Sequence, residues 1–95
     1  MIPEVTPVAT VVVCDDDPAT LELLTDHLEA DRYRVLQAPT ASDALRMCRY
    51  NEPDVLLLDL VLPDAPGIEV LRSVRGSDGA VEGSDPRLAV IVLSG

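Results

Sequence analysis

The chain has 95 residues, of which 47% are apolar, so it can form one small domain over residues 1–95. Its net charge is −10 and only seven residues are basic, which argues against direct contact with nucleic acid. No apolar run reaches the length of a membrane span, and no basic region precedes one near the start. We therefore expect no signal peptide, no membrane anchor and a cytoplasmic location.

Short apolar runs alternate with segments of helical periodicity along the chain. Asp17 before Pro18 is an N-cap signal for the first helix, and Thr40 with Asp43 resembles a capping box that opens the second. In chain order, the predicted elements are strand Thr10–Cys14, helix Pro18–Ala30, strand Arg34–Ala38, helix Ala41–Arg49, strand Val55–Leu58, helix Gly67–Arg75 and strand Leu88–Leu93.

The β-α-β-α-β-α-β order predicts an α/β fold with an open parallel sheet between helix layers. The strands are continuous apolar runs, which is typical of strands that are covered on both faces. We expect Ile68, Leu71 and Val74 of the third helix to face the core. The segment Gly76–Arg87 is rich in Gly, Ser and Asp and is predicted to be a long surface loop.

Polar residues stand at the carboxyl ends of three predicted strands. Asp15 and Asp16 follow the first strand, Asp59 follows the third, and Ser94 follows the fourth. Ligands of open parallel sheets bind at this edge, where the four side chains would meet. Clustered carboxylates repel each other unless a cation compensates, and Mg²⁺ prefers oxygen ligands. With Mg²⁺ bound, Asp59 could attack a phosphoryl group as a nucleophile.

Three segments of the chain resemble the receiver domains of two-component response regulators. They are the first strand with its acids (Val12–Pro18), the segment around Asp59 (Pro53–Gly67) and the last strand (Ala89–Gly95). The second includes a proline four residues and a glycine eight residues after Asp59, as in that family. The resemblance covers essentially the whole chain and implies a flavodoxin-like fold with strand order 2-1-3-4-5.

The resemblance also implies roles for individual residues. Asp59 would be the phosphoacceptor, Asp16 a direct ligand of Mg²⁺, and Asp15 a ligand directly or through water. The backbone carbonyl of Val61 would be a further metal ligand, and Ser94 the switch hydroxyl that meets the phosphoryl group. The implied partners are a sensor histidine kinase or a phosphotransfer protein, and a C-terminal output domain that lies outside these residues.

The sequence departs from the family in one important respect. The family carries a lysine at the end of a fifth strand and an aromatic switch residue within it, whereas this sequence stops at Gly95. We expect a receiver fold that lacks the fifth strand and the last two helices. We also expect weak or absent phosphorylation, retained Mg²⁺ binding, and self-association through the exposed apolar edge of Leu88–Leu93.

The same residues are compatible with other functions. A receiver-like interaction module without phosphotransfer is the main alternative. A phosphatase or phosphotransferase with an aspartate nucleophile is disfavoured, because such enzymes often carry a second acid at the position that Val61 occupies. We therefore expect that the chain is not an enzyme. Asp64 is interpreted as a solvated turn residue, and Cys14 and Cys48 as reduced, buried residues.

Overall fold

The computed structural model describes residues 6–76 and 88–93. The elements alternate as predicted, and their bounds differ from the predicted ones by no more than two residues. They are β1 (Thr10–Cys14), α1 (Pro18–Ala30), β2 (Arg34–Ala38), α2 (Ala41–Asn51), β3 (Val55–Asp59), α3 (Gly67–Arg75) and β4 (Ala89–Leu93). No helix in the described part of the chain is long and apolar enough to cross a bilayer.

The four strands form one parallel sheet in the order β2-β1-β3-β4. This confirms the predicted open parallel sheet and matches the flavodoxin-like strand order as far as the described strands go. Cys14 of β1 pairs with Leu58 of β3, and Asp59 pairs with Leu93 of β4. The carboxyl ends of β1, β3 and β4 therefore lie side by side at one edge.

Helices cover both faces of the two central strands. Successive residues of a strand point to opposite faces, so Val12 and Cys14 join a cluster with α2 and α3, while Val11 and Val13 pack with Leu21 of α1. The outer strand β4 differs, because its Ile91 and Val92 are about half exposed. The general expectation of strands covered on both faces therefore holds for β1, whereas the exposure of β4 agrees with the exposed apolar edge predicted for Leu88–Leu93.

The buried face of α3 differs from the predicted one at Ile68, whereas Leu71 and Val74 pack into the core as predicted. Ile68 was expected to face the core but is 43% exposed, whereas Val70 is fully buried. The cause is Gly67, which packs so closely on β3 that an added Cβ would lie 2.3 Å from the carbonyl oxygen of Asp59. Burial of Gly67 brings the residues three and seven positions later, Val70 and Val74, onto the core face.

Both cysteines are buried, as the sequence indicated, and neither is in a disulfide. Helix α3 ends at Gly76, which adopts the left-handed conformation (φ 65°) that a residue without Cβ accommodates most easily. Apart from Gly76, the predicted loop Gly76–Arg87 lies outside the described residues.

Candidate functional site

Three of the predicted site residues meet at the carboxyl edge of the sheet. Carboxylate oxygens of Asp15, Asp16 and Asp59 all lie within 4.8 Å of one another. Their proximity follows from topology, because β1 and β3 are hydrogen-bonded neighbours that end at the same level. Asp15 and Asp59 are each 9% exposed and Asp16 is exposed, so the cluster has a buried base and one side open to solvent.

Backbone groups hold the two buried carboxylates. Asp15 donates its backbone N–H to the carbonyl of Ala38 at the end of β2 (3.1 Å), and its Oδ1 accepts from the N–H of Asp17 (2.9 Å). Oδ1 of Asp59 accepts from the N–H of Val61 (3.1 Å). The two bonds to Oδ1 orient both side chains.

Asp17 serves the helix rather than the cluster. It is the N-cap of α1, and its carboxylate accepts from the backbone N–H of Ala19 (3.3 Å) and from the hydroxyl of Thr20 (2.8 Å). This agrees with the cap predicted from Asp17 before Pro18. The turn between β1 and α1 therefore directs Asp15 and Asp16 to the site while Asp17 completes the first turn of the helix.

Val61 lies in a tightly closed loop after β3. A bridge between Val61 and Pro66 and a hydrogen bond from the N–H of Gly67 to the carbonyl of Leu60 (2.9 Å) close the base of this loop. Val61 itself is 68% exposed and follows Asp59 by two residues. The loop therefore keeps the Val61 backbone beside the acidic cluster. Ser94 lies outside the described residues, and its role stays a prediction.

Asp64 is exposed and lies in a bend, as its interpretation as a solvated turn residue implies, but it also contacts α2, which the sequence did not indicate. Its Oδ1 accepts from the backbone N–H of Ala41 (2.8 Å) and its Oδ2 from that of Ser42 (3.0 Å), both in the first turn of α2. The bonds from Ser42 and Ala41 lower the pKa of Asp64 below the usual aspartate value. No local pattern reveals this contact, since the partners are 22 and 23 residues apart in the sequence.

The acids also act on their neighbour Cys14. Burial, together with the negative charges of Asp64, Asp15 and Asp59, raises the pKa of the Cys14 thiol to about 12. The thiol is therefore protonated at neutral pH, and its Sγ donates to the carbonyl of Thr40 (3.6 Å). Among the described residues, the group that could hold a metal ion here consists of three aspartates, so its side-chain donors are oxygens. Three carboxylates on an open edge fit a hard cation such as Mg²⁺.

Comparison with known proteins identifies the class to which this fold and site belong. The family model described as response regulator receiver domain matches residues 11–95. The transcriptional regulatory protein KdpE of Mycobacterium tuberculosis is 46% identical over 66 residues, which are 70% of this chain and 29% of KdpE. The DNA-binding response regulator MtrA of Mycolicibacterium smegmatis is 39% identical over 69 residues, 73% of this chain and 30% of MtrA.

Solved structures agree with the sequence relatives. The non-phosphorylated HemR receiver domain of Leptospira biflexa superposes with a TM-score of 0.79 at 30% identity, over 94% of this chain and 64% of that one. The chain belongs to the response regulator receiver domain family. It spans less than a third of the length of KdpE and MtrA, and about two thirds of the HemR receiver domain.

Family membership settles the general features of the function. The chain is a receiver domain of a two-component response regulator, and receiver domains commonly bind Mg²⁺ at an acidic pocket of the kind that the aspartate cluster forms. Response regulators interact with histidine kinases and often carry C-terminal DNA-binding output domains.

The expectation that the chain is not an enzyme needs correction. It is wrong if it is taken to exclude any part in a chemical reaction, because receiver domains accept phosphoryl groups and so take part in group transfer. What the matches support is a phosphoryl-accepting domain related to transcriptional regulators, without a demonstrated catalytic role.

Proposed function

We propose that Asp59 is the phosphoacceptor of this receiver domain, with Mg²⁺ held by Asp15, Asp16, Asp59 and the backbone carbonyl of Val61. The observation that carries the proposal is the gathering of three carboxylates within 4.8 Å at the carboxyl edge of a parallel sheet. An unshielded cluster of this kind is electrostatically unfavourable, and a divalent cation offsets its repulsion.

Phosphoryl transfer to Asp59 forms one bond and breaks one. A carboxylate oxygen of Asp59 attacks the phosphorus of a phosphohistidine, the P–N bond of the donor breaks, and an acyl phosphate results. Bound Mg²⁺ would neutralise charge on the phosphoryl oxygens. The hydrogen bond from the Val61 N–H holds the attacking side chain in place, and the hydroxyl of Ser94 donates a hydrogen bond to the phosphoryl group.

The proposal extends to partners and location. The donor is a sensor histidine kinase or a phosphotransfer protein, and a C-terminal output domain reads the phosphorylated state in the cytoplasm. Residues 1–95 form one receiver portion, which makes no contact with nucleic acid itself because its net charge is −10. The half-exposed strand β4 mediates self-association.

Labelling with acetyl phosphate tests the acceptor residue. We expect mass spectrometry to show slow, Mg²⁺-dependent addition of one phosphoryl group to the unaltered chain and none to Asp59→Asn. Asp26→Asn, which removes an exposed acid on α1, is the matched control and should be labelled like the unaltered chain. Labelling that persists in Asp59→Asn, or that proceeds equally without Mg²⁺, would refute the assignment.

A second candidate is an interaction module that uses the same fold without phosphotransfer. An interaction module would stay unlabelled at Asp59 even with Mg²⁺ bound. The expected slow labelling therefore separates the two candidates.

A further inference from the structure

Asp64 connects two parts of the domain that are distant in sequence. It lies in the loop 60–66 that follows Asp59, and both of its carboxylate oxygens accept hydrogen bonds from the first turn of α2. Asp64 is not a member of the carboxylate cluster formed by Asp15, Asp16 and Asp59. Its contacts join loop 60–66 to the first turn of α2.

Asp64 completes the capping of α2. The first turn of a helix has N–H groups without partners inside the helix. Thr40 satisfies one of them, since its Oγ1 accepts from the N–H of Asp43 (3.1 Å), and the carboxylate of Asp64 satisfies those of Ala41 and Ser42. The N-terminus of α2 is therefore built jointly by its own capping residue and by the loop after the phosphoacceptor, and its dipole favours the negative charge there.

The same helix start is tied to the strand that carries the acids. Cys14 Sγ donates to the carbonyl of Thr40, and the N–H of Asp15 donates to the carbonyl of Ala38, two residues before Thr40. Hydrogen bonds and the covalent backbone thus connect β1 to the start of α2, the start of α2 to Asp64, and Asp64 through the loop to Asp59.

The loop can transmit a constraint because its base is closed. The bridge between Val61 and Pro66 and the bond from Gly67 to Leu60 join its two ends. The loop that carries Asp64 is therefore anchored at Val61, whose N–H holds the carboxylate of Asp59.

We propose that Asp64 is a positioning residue that couples the Mg²⁺ site to the first turn of α2, by holding loop 60–66 in the conformation that presents Val61 and Asp59 to Asp15 and Asp16. This inference rests on the proposed function. It predicts that Mg²⁺ binding is sensed at α2, and that the contact of Asp64 with α2 raises the affinity for Mg²⁺.

Mg²⁺ titration followed by ¹⁵N NMR tests the coupling in both directions. In the unaltered chain, Mg²⁺ should shift the amide resonances of Ala41 and Ser42. In Asp64→Ala, these shifts should disappear and the dissociation constant for Mg²⁺ should rise about three- to tenfold, the scale of one ordinary hydrogen bond. Hydrogen exchange at the two amides should become faster in the same variant without Mg²⁺.

Two further variants separate positioning from charge. Asp64→Asn removes the charge but keeps one acceptor oxygen, so its affinity should fall between those of the unaltered chain and Asp64→Ala. Asp26→Ala removes an exposed acid about 12 Å along α1 from its first residue, and should bind Mg²⁺ like the unaltered chain. If only the charge of Asp64 mattered, Asp64→Asn and Asp64→Ala would have equal affinities for Mg²⁺.

The outcomes distinguish this inference from the function on which it rests. If the unaltered chain binds Mg²⁺ and Asp64→Ala binds it equally well, the coupling is refuted and the proposed site stands. Equal affinities of Asp64→Asn and Asp64→Ala refute positioning as well. An unaltered chain that binds no Mg²⁺ contradicts the proposed function itself, and the coupling with it.

Discussion

Single residues decide how closely the elements around the acidic cluster approach each other. Gly67 is buried at the start of α3, and a Cβ at this position would lie 2.3 Å from the carbonyl oxygen of Asp59 and 2.7 Å from Cα of Leu60. Both contacts are with backbone, which cannot rotate away as a side chain can. The absence of a side chain at residue 67 therefore allows α3 to pack directly against the end of β3.

Gly67→Ala should accordingly destabilise the fold and disturb the site. We expect the free energy of unfolding, measured by urea denaturation, to fall by about 1–3 kcal/mol, as is usual for overpacking, and Mg²⁺ binding to weaken because the Asp59 backbone must move. Ser73→Ala on the same helix is the control and should change stability by less than about 0.5 kcal/mol. Unchanged stability of Gly67→Ala would show that α3 can shift without strain.

Some contacts of single residues in the site could be predicted from the sequence, and others could not. Asp15, Asp16 and Asp59 could be predicted to meet, because each follows an apolar strand and parallel strands end at one edge. The contact of Asp64 with α2 could not, because it depends on how a loop folds back onto a helix that begins 23 residues earlier. Helical and strand periodicities carry no information about such contacts.

At the scale of elements, the two kinds of strand in the sheet have different environments. β1 is covered by helices on both faces, whereas Ile91 and Val92 of β4 are about half exposed. The apolar sequence of each strand identifies it as a strand but does not report which neighbours cover it. The same limitation explains the error at α3, where the close packing of Gly67, and not the first large apolar residue, sets the buried face.

The exposure of β4 leads to a prediction about assembly. We expect the chain to self-associate at concentrations well above micromolar, because an apolar outer strand offers both unpaired backbone groups and apolar side chains. Ile91→Lys should shift the mass measured by light scattering towards the monomer. Leu23→Lys changes a similarly exposed residue on α1 and should leave association unaltered. A monomeric unaltered chain would contradict this prediction.

At the scale of the whole molecule, the order of the strands in the sheet brings the acids of the site together. The acids stand 43 residues apart along the chain (Asp16 to Asp59), and they meet because two right-handed crossovers return β3 to the side of β1. The alternation of strands and helices makes this arrangement predictable from the sequence. The excess of 17 acidic over seven basic residues adds to the negative potential that attracts a cation.

Calorimetric titration with Mg²⁺ tests the central claim most directly. Asp16→Asn and Asp59→Asn each remove one carboxylate of the cluster, and Asp26→Asn removes one elsewhere while changing the net charge equally. Loss of a group that only supports a metal ligand already costs about tenfold or more in affinity. We therefore expect Asp16→Asn and Asp59→Asn to bind Mg²⁺ at least tenfold more weakly, and Asp26→Asn to bind it with unchanged affinity. Equal Mg²⁺ affinity of the unaltered chain and all three variants would contradict the account.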